Sequence, residues 1–219
     1  QNFLMEDLLH LMLQKSIIVD NLIEKFLTKI KCEILFALDG ANKNYLKRYF
    51  NFIISLSEQS WLNEYVYIQS EKEKDEIYKL KNKIEKSDQI NEFEIAILGC
   101  YIPLNTSAII TKKLLNYESS SVLFNNLVNV QVKEPLREKD LKKTIKSIDK
   151  IDDLISKKVR KQYEENPYPR WRYCDKYKSI HFLNSLNNDI KPNRVKYNNK
   201  FNNPNILIAG CGTGNHLIS

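Results

Sequence analysis

Over the first 130 positions apolar residues recur at three- and four-residue spacings, the period of one face of an α-helix. Phe3 to Ile18 places Leu4, Leu8, Leu11, Met12 and Leu13 on a broad face, which predicts a largely buried helix. Asp20 then stands where a side-chain oxygen caps a helix start. Leu22, Ile23, Phe26, Leu27, Ile30, Ile34, Leu35 and Leu38 continue the period behind it. Asp39-Gly40 is the expected stop, because glycine readily takes the left-handed conformation found after helix ends. A third helix is predicted from Tyr45 to Leu56, and the aromatic run from Trp61 to Tyr67 that follows has no clear period.

Glu71 to Lys86 is highly charged, with Ile77, Leu80 and Ile84 as its only apolar line. That pattern predicts a surface helix whose opposite charges pair at three or four residues. Glu92 to Leu98 is apolar again and Pro103 closes it; Ser119-Ser120-Ser121 offers a cap for Val122 to Val130, and Pro135 is read as the break after it. Leu136 to Ile148 reads as a basic amphipathic helix. The helix opened by Asp149 to Asp153 carries acids in its first turn, and Lys157, Lys158, Arg160 and Lys161 are read as its last turn, where the helix dipole favours cations. The prolines of Asn166-Pro167-Tyr168-Pro169-Arg170-Trp171 hold an extended backbone. Ser179 to Leu186 predicts a short helix, and 187–203 a loop with a short strand near Val195-Lys196-Tyr197. No repeat of 30 to 45 residues holds position by position.

The chain holds five glycines, and three of them fall within five residues of the stretch Asn205-Ile206-Leu207-Ile208-Ala209-Gly210-Cys211-Gly212-Thr213-Gly214-Asn215-His216. An apolar strand that runs into glycines and then a helix start presents backbone N–H groups to a nucleotide-like ligand. Three versions of that loop are excluded by single residues. A P-loop needs Lys after its glycines, and none is there; a GxGxxG dinucleotide loop needs glycine at Asn215; a GxSxG elbow needs its nucleophile at Gly212. GxGxG with a small hydroxyl residue before the last glycine is what remains. The missing glycine at Asn215 also disfavours an NAD-dependent oxidoreductase.

Charge changes this picture little. Net charge is +7 overall, but residues 1–132 carry −2 and 133–219 carry +9. The lysines are interleaved with acids along helical faces, so the excess is read as a solvated surface rather than a nucleic-acid site. No apolar run reaches the roughly 18 residues needed to cross a bilayer, and no membrane association is expected. The four cysteines (Cys32, Cys100, Cys174, Cys211) lie far apart with no CxxC pair, which argues against a metal site or a disulfide framework and for a reducing cytoplasm.

Ile206 to Gly214 resembles motif I of class I S-adenosylmethionine-dependent methyltransferases, with Ile208 standing where many members carry an acid. The run from Ile151 through Gln162-Tyr163-Glu164-Glu165-Asn166-Pro167-Tyr168-Pro169-Arg170-Trp171 is similar to a segment preceding motif I in bacterial members that carry tetratricopeptide repeats. Trp61-Leu62-Asn63-Glu64-Tyr65 and Gln131-Val132-Lys133-Glu134-Pro135 look like the middle region of those proteins. The resemblance implies S-adenosyl-L-methionine as cofactor and an unknown methyl acceptor. It implies cofactor contacts at Ala209, Gly210, Cys211, Gly212 and Gly214, with Tyr163 and Trp171 as a cover for cofactor or substrate. The fold expectation is mainly α: a helical scaffold or interaction region over 1–135, a helical and extended linker over 136–203, and the first strand and glycine loop of an α/β Rossmann-like domain over 204–219. Gln1 in place of Met, and a sequence that runs only five residues beyond Gly214, are read as the ends of a fragment. By that reading the general base and the ribose-gripping acid lie beyond Ser219, and the fragment alone is inactive. The alternative is a helical protein-interaction module attached to a non-catalytic Rossmann-like domain.

Overall fold

The computed structural model describes residues 3–38, 43–145, 153–165, 170–173, 178, 180–196, 205, 207–208 and 212–214. The chain divides into two compact units, Gln1–Arg170 and Trp171–Ser219. Among the described residues it is mainly helical and contains no strand.

In the first unit a 3-10 turn at Phe3–Met5 leads into α1 (Asp7–Lys15), shorter than the predicted Phe3–Ile18. The reason is Ser16, whose hydroxyl donates back to the Met12 carbonyl at 2.8 Å and ends the helix. α2 (Asn21–Phe36) begins at Asp20 as expected: its carboxylate accepts from the N–H groups of Leu22 (2.9 Å) and Ile23 (3.0 Å). α2 ends at Phe36, capped by Ala37; the anticipated stop at Asp39-Gly40 lies outside the described residues. The predicted third helix is divided into α3 (Lys43–Leu46), a 3-10 turn at Lys47–Tyr49 and α4 (Phe50–Leu62), which runs past Leu56 to take in Trp61.

α5 (Glu71–Lys86) matches its predicted bounds. Ser70 and Glu73 close a capping box at its start, Ile77, Leu80 and Ile84 are its buried line, and Lys74–Glu71 and Lys79–Glu76 pair at 2.6 Å. Its far end is held by Lys113, whose ammonium donates to the carbonyls of Ile84, Glu85 and Ser87. α6 (Glu92–Gly99), α7 (Ala108–Leu115) and α8 (Val122–Val128) follow, the last capped by Ser121. A π turn over Asn129–Lys133 then continues without a break into α9 (Glu134–Lys142).

Pro135 therefore does not separate two segments as the sequence suggested; it sits in the first turn of α9. A proline ring inside a helix collides with the carbonyl four residues earlier, here that of Gln131. The wider π turn at that point makes room for the ring.

α4 lies at the centre of the helical unit, and every residue from Phe52 to Leu62 is buried. Its apolar side is continuous with Phe93, Ile95, Ile97, Leu127 and Val132 in one core. Its other side is polar, and Ser57, Glu58 and Gln59 there find partners from distant parts of the chain, while the Ser55 hydroxyl donates to the Asn51 carbonyl of its own helix. Asn126 donates to Glu58 at 3.1 Å. Gln59, with its amide nitrogen turned toward them, donates to the carbonyls of Leu13 (2.7 Å) and Ser16 (2.9 Å). Gln131 donates to the Ser57 carbonyl and hydroxyl (3.0 Å each) and to the Gly99 carbonyl (3.2 Å), and its own oxygen accepts from Leu104 N–H at 3.3 Å. Pairing of this kind offsets the cost of burying an amide.

α10 (Leu154–Glu165) begins at Asp153, which accepts from Ser156 N–H at 2.7 Å. It extends to Glu165, so Lys157, Lys158, Arg160 and Lys161 lie in its middle rather than in the predicted last turn. Its residues from 154 to 164 are exposed. Glu164 accepts from Lys142 (2.7 Å) and Arg160 (2.6 Å), and these two cations hold its carboxyl at about 2.

The second unit contains α11 (Phe182–Asp189), shifted three residues beyond the predicted Ser179–Leu186 because His181 caps it by accepting from Leu183 N–H. Of the strand expected near Val195-Lys196-Tyr197, Val195 and Lys196 are irregular, and Tyr197 lies outside the described residues. The Val195 N–H and carbonyl are both taken by the Asn187 side chain (2.7 and 3.1 Å), which leaves no ladder for a strand to join. No described helix is long and apolar enough to cross a membrane.

Candidate functional site

Three residues of the glycine loop are described. Gly212 and Gly214 have φ of +54° and +84°, both in the left-handed region, and Thr213 lies between them. Side chains other than glycine pay a steric penalty there, so the spacing of the two glycines reflects the turn itself. A Cβ placed on Gly212 meets no atom within 4 Å among the described residues. Conformation, rather than crowding by the described residues, calls for glycine at this position. Ala209, Gly210 and Cys211 lie outside the described residues. Asn205, Leu207 and Ile208 are described without strand structure.

Of the two aromatic residues anticipated as a cover, Trp171 is at the loop. Its indole N–H donates to the Thr213 carbonyl at 3.1 Å, across 42 residues of chain. Tyr163 belongs to the helical unit, where it stands on α10 with 69% of its surface exposed.

The helical unit has its own polar centre, which the sequence did not single out. After α4 the backbone turns at Asn63–Tyr65, with φ of +57° at both Glu64 and Tyr65. Two non-glycine residues in that region cost roughly 1–2 kcal/mol each, and the surroundings hold them there. Tyr65 N–H donates to the Ser60 carbonyl at 2.9 Å, and the Trp61 and Tyr65 rings meet edge to face. Arg170 lies 4.1 Å above the Trp61 ring and donates to the Glu64 carboxylate. Two of the family-like strings, Trp61 to Tyr65 and the one ending in Arg170-Trp171, thus meet at Arg170. The third contributes Gln131, which binds α4 one turn before Trp61.

Beside this turn, Lys31 is 2% exposed, with its ammonium 4.3 Å from the Tyr101 ring centroid and 5.1 Å from that of Tyr67. Burial lowers its pKa, opposed by the charge of Glu73. Burial would raise the Glu73 carboxyl. The Ser70 N–H (2.8 Å) and hydroxyl (2.9 Å), the Tyr101 hydroxyl (3.1 Å) and the Lys31 charge outweigh it, so Glu73 is held below its ordinary value. The buried Cys100 thiol is pushed up to about 12. A buried thiol that stays protonated is a poor nucleophile, and the Lys31 ammonium is walled in by two phenols. A groove of about 730 Å³ runs past it, lined by Thr28, Cys32, Val66, Tyr67, Ser70 and Glu73 among others.

One signal in the sequence could have found the cluster. Lys31 falls on the apolar face of α2, four residues from both Leu27 and Leu35, and a lysine there must be buried among partners. No family model, curated protein or solved structure matches this chain.

Proposed function

We propose that this chain is the cofactor-loop and helical part of a class I S-adenosyl-L-methionine-dependent methyltransferase, acting in a reducing cytoplasm on an acceptor that its residues do not identify. The observation that carries the reading is the pair of left-handed glycines, Gly212 and Gly214, at the end of the apolar run Ile206 to Ala209. A loop of that kind leaves backbone N–H groups unshielded by side chains, which suits a ligand rich in hydrogen-bond acceptors. Ala209, Gly210, Cys211, Gly212 and Gly214 would hold the cofactor, and the apolar run would enter the domain as its first parallel strand.

The cofactor supplies an electrophilic methyl group on sulfur. The residues of the protein have to orient it in line with the acceptor and exclude water, and such positioning accounts for much of the acceleration in transfers of this type. Titration calorimetry of S-adenosyl-L-methionine into the full-length protein tests the reading. Binding is expected, and Gly212→Val should weaken it about tenfold or more, because a β-branched residue is a steric outlier at positive φ. Absence of binding to the full-length protein would sink the proposal.

A second reading draws on Leu8 of α1, Val19 in the link that follows and Leu22 of α2, which expose 78%, 81% and 77% of their surface. It takes the helical unit as a protein-interaction module attached to a non-catalytic Rossmann-like domain. The same titration separates the two, since that module needs no cofactor.

A further inference from the structure

The indole of Trp171 reaches the glycine loop with the one polar atom it has. Tryptophan offers a donor and no acceptor, and this donor is spent on the Thr213 carbonyl at 3.1 Å. That carbonyl shares a planar trans peptide with the N–H of Gly214, and in such a peptide the two groups point in opposite directions. Holding the carbonyl toward Trp171 therefore turns the Gly214 N–H to the opposite side of the loop. The residues on either side of Thr213 are both in the left-handed region, where glycine has the least intrinsic preference to keep a single conformation. A loop of this kind needs an external constraint if its N–H groups are to keep one direction.

We infer that Trp171 is the positioning residue of the glycine loop, fixing the Thr213–Gly214 peptide so that the Gly214 N–H faces a hydrogen-bond acceptor of the ligand. Its function is to orient backbone, which differs from the covering role that residue type alone suggests. A covering role would need only the ring, and phenylalanine would serve equally; the role as a latch needs the N–H. The consequence for ligand binding rests on the cofactor reading above, whereas the latch itself does not.

Hydrogen exchange by mass spectrometry, on the full-length protein without ligand, tests it. Trp171→Phe removes the donor, and 3-benzothienylalanine at position 171 replaces only the N–H with sulfur while keeping the shape of the ring. Both should speed exchange of the peptide spanning residues 207–216 by about 2- to 10-fold, the effect of one lost neutral hydrogen bond, with far-ultraviolet helicity unchanged. Unchanged exchange in the benzothienyl variant overturns the proposal, because that variant leaves packing intact. In parallel, S-adenosyl-L-methionine affinity should fall by a similar factor in both variants. Faster exchange in a protein that binds no S-adenosyl-L-methionine would leave the latch standing and remove the cofactor reading.

Discussion

Gly99 and Gly212 are each required by the unit that holds them, and for opposite reasons. In the helical unit a Cβ on Gly99 would fall 2.4 Å from the Ser57 hydroxyl and 3.3 Å from Gln131 Oε1, so this residue is glycine for want of room. In the following unit a Cβ on Gly212 would meet nothing within 4 Å among the described residues, yet its φ is +54°. One unit is specified by what its side chains touch. The other, at its loop, is specified by the path of the backbone. Burial dominates the first, where α4 is enclosed along eleven consecutive residues from Phe52 to Leu62. Hydrogen bonds from isolated side chains, Trp171 to Thr213 and Asn187 to Val195, shape the second.

The sharpest way to break this contrast is at Gln131. Gln131→Leu should destabilise the helical unit by about 3 kcal/mol or more, since it leaves the Gly99 carbonyl and Leu104 N–H buried without that partner. Urea unfolding followed by circular dichroism measures it; a loss below about 1 kcal/mol would mean that these groups find other partners. Next come the two glycines. Gly99→Ala should cost about 1–3 kcal/mol through overpacking, and Gly212→Ala only about 1 kcal/mol through backbone strain. If Gly212→Ala proves the more damaging of the two in the same unfolding experiment, the contrast fails.

The smallest effect concerns Glu73. Its folded-state carboxyl lies below the ordinary 4.5, so its contribution to stability is fully present above 4.5 and is lost as pH falls through the folded value. Glu73→Gln should therefore lower stability at neutral pH and converge with the parent in acid. Unfolding midpoints measured at neutral pH and near pH 3 test this, and a gap that stays constant with pH would remove Glu73 from the acid response.

The comparison also shows where the sequence could be read. α5 was legible to its bounds, because its charged run and the line Ile77, Leu80, Ile84 are local signals that agree; the Ser70–Glu73 capping box is a further local signal. The caps at Asp20 and Ser121 were legible for the same reason. α4 was predicted to end at Leu56, and the residues that follow, Ser57, Glu58, Gln59 and Ser60, are polar. They are buried, and what permits this lies far away: Gln131 is 74 residues beyond Ser57, and Asn126 is 68 beyond Glu58. Periodicity reports a face as polar without saying what satisfies it. For the loop, glycine spacing and the Trp171 residue type marked the positions, while the use of the indole N–H needed coordinates. Pro135 misled because its local meaning is a stop, and the π turn that accommodates it has no signature in the residues.

That turn also sets a helical phase. A π turn holds one residue more than the α-helix it interrupts, so Asn129–Lys133 is an insertion carried inside a continuous rod from Val122 to Lys142. Each added residue rotates everything downstream by about 100°. Deleting one position would restore plain α geometry, but it would swing every side chain of α9 to a different bearing and return the Pro135 ring to the carbonyl it now avoids. The segment is thus a phase offset that a single deletion cannot erase, because the faces on both sides of the rod are set by it.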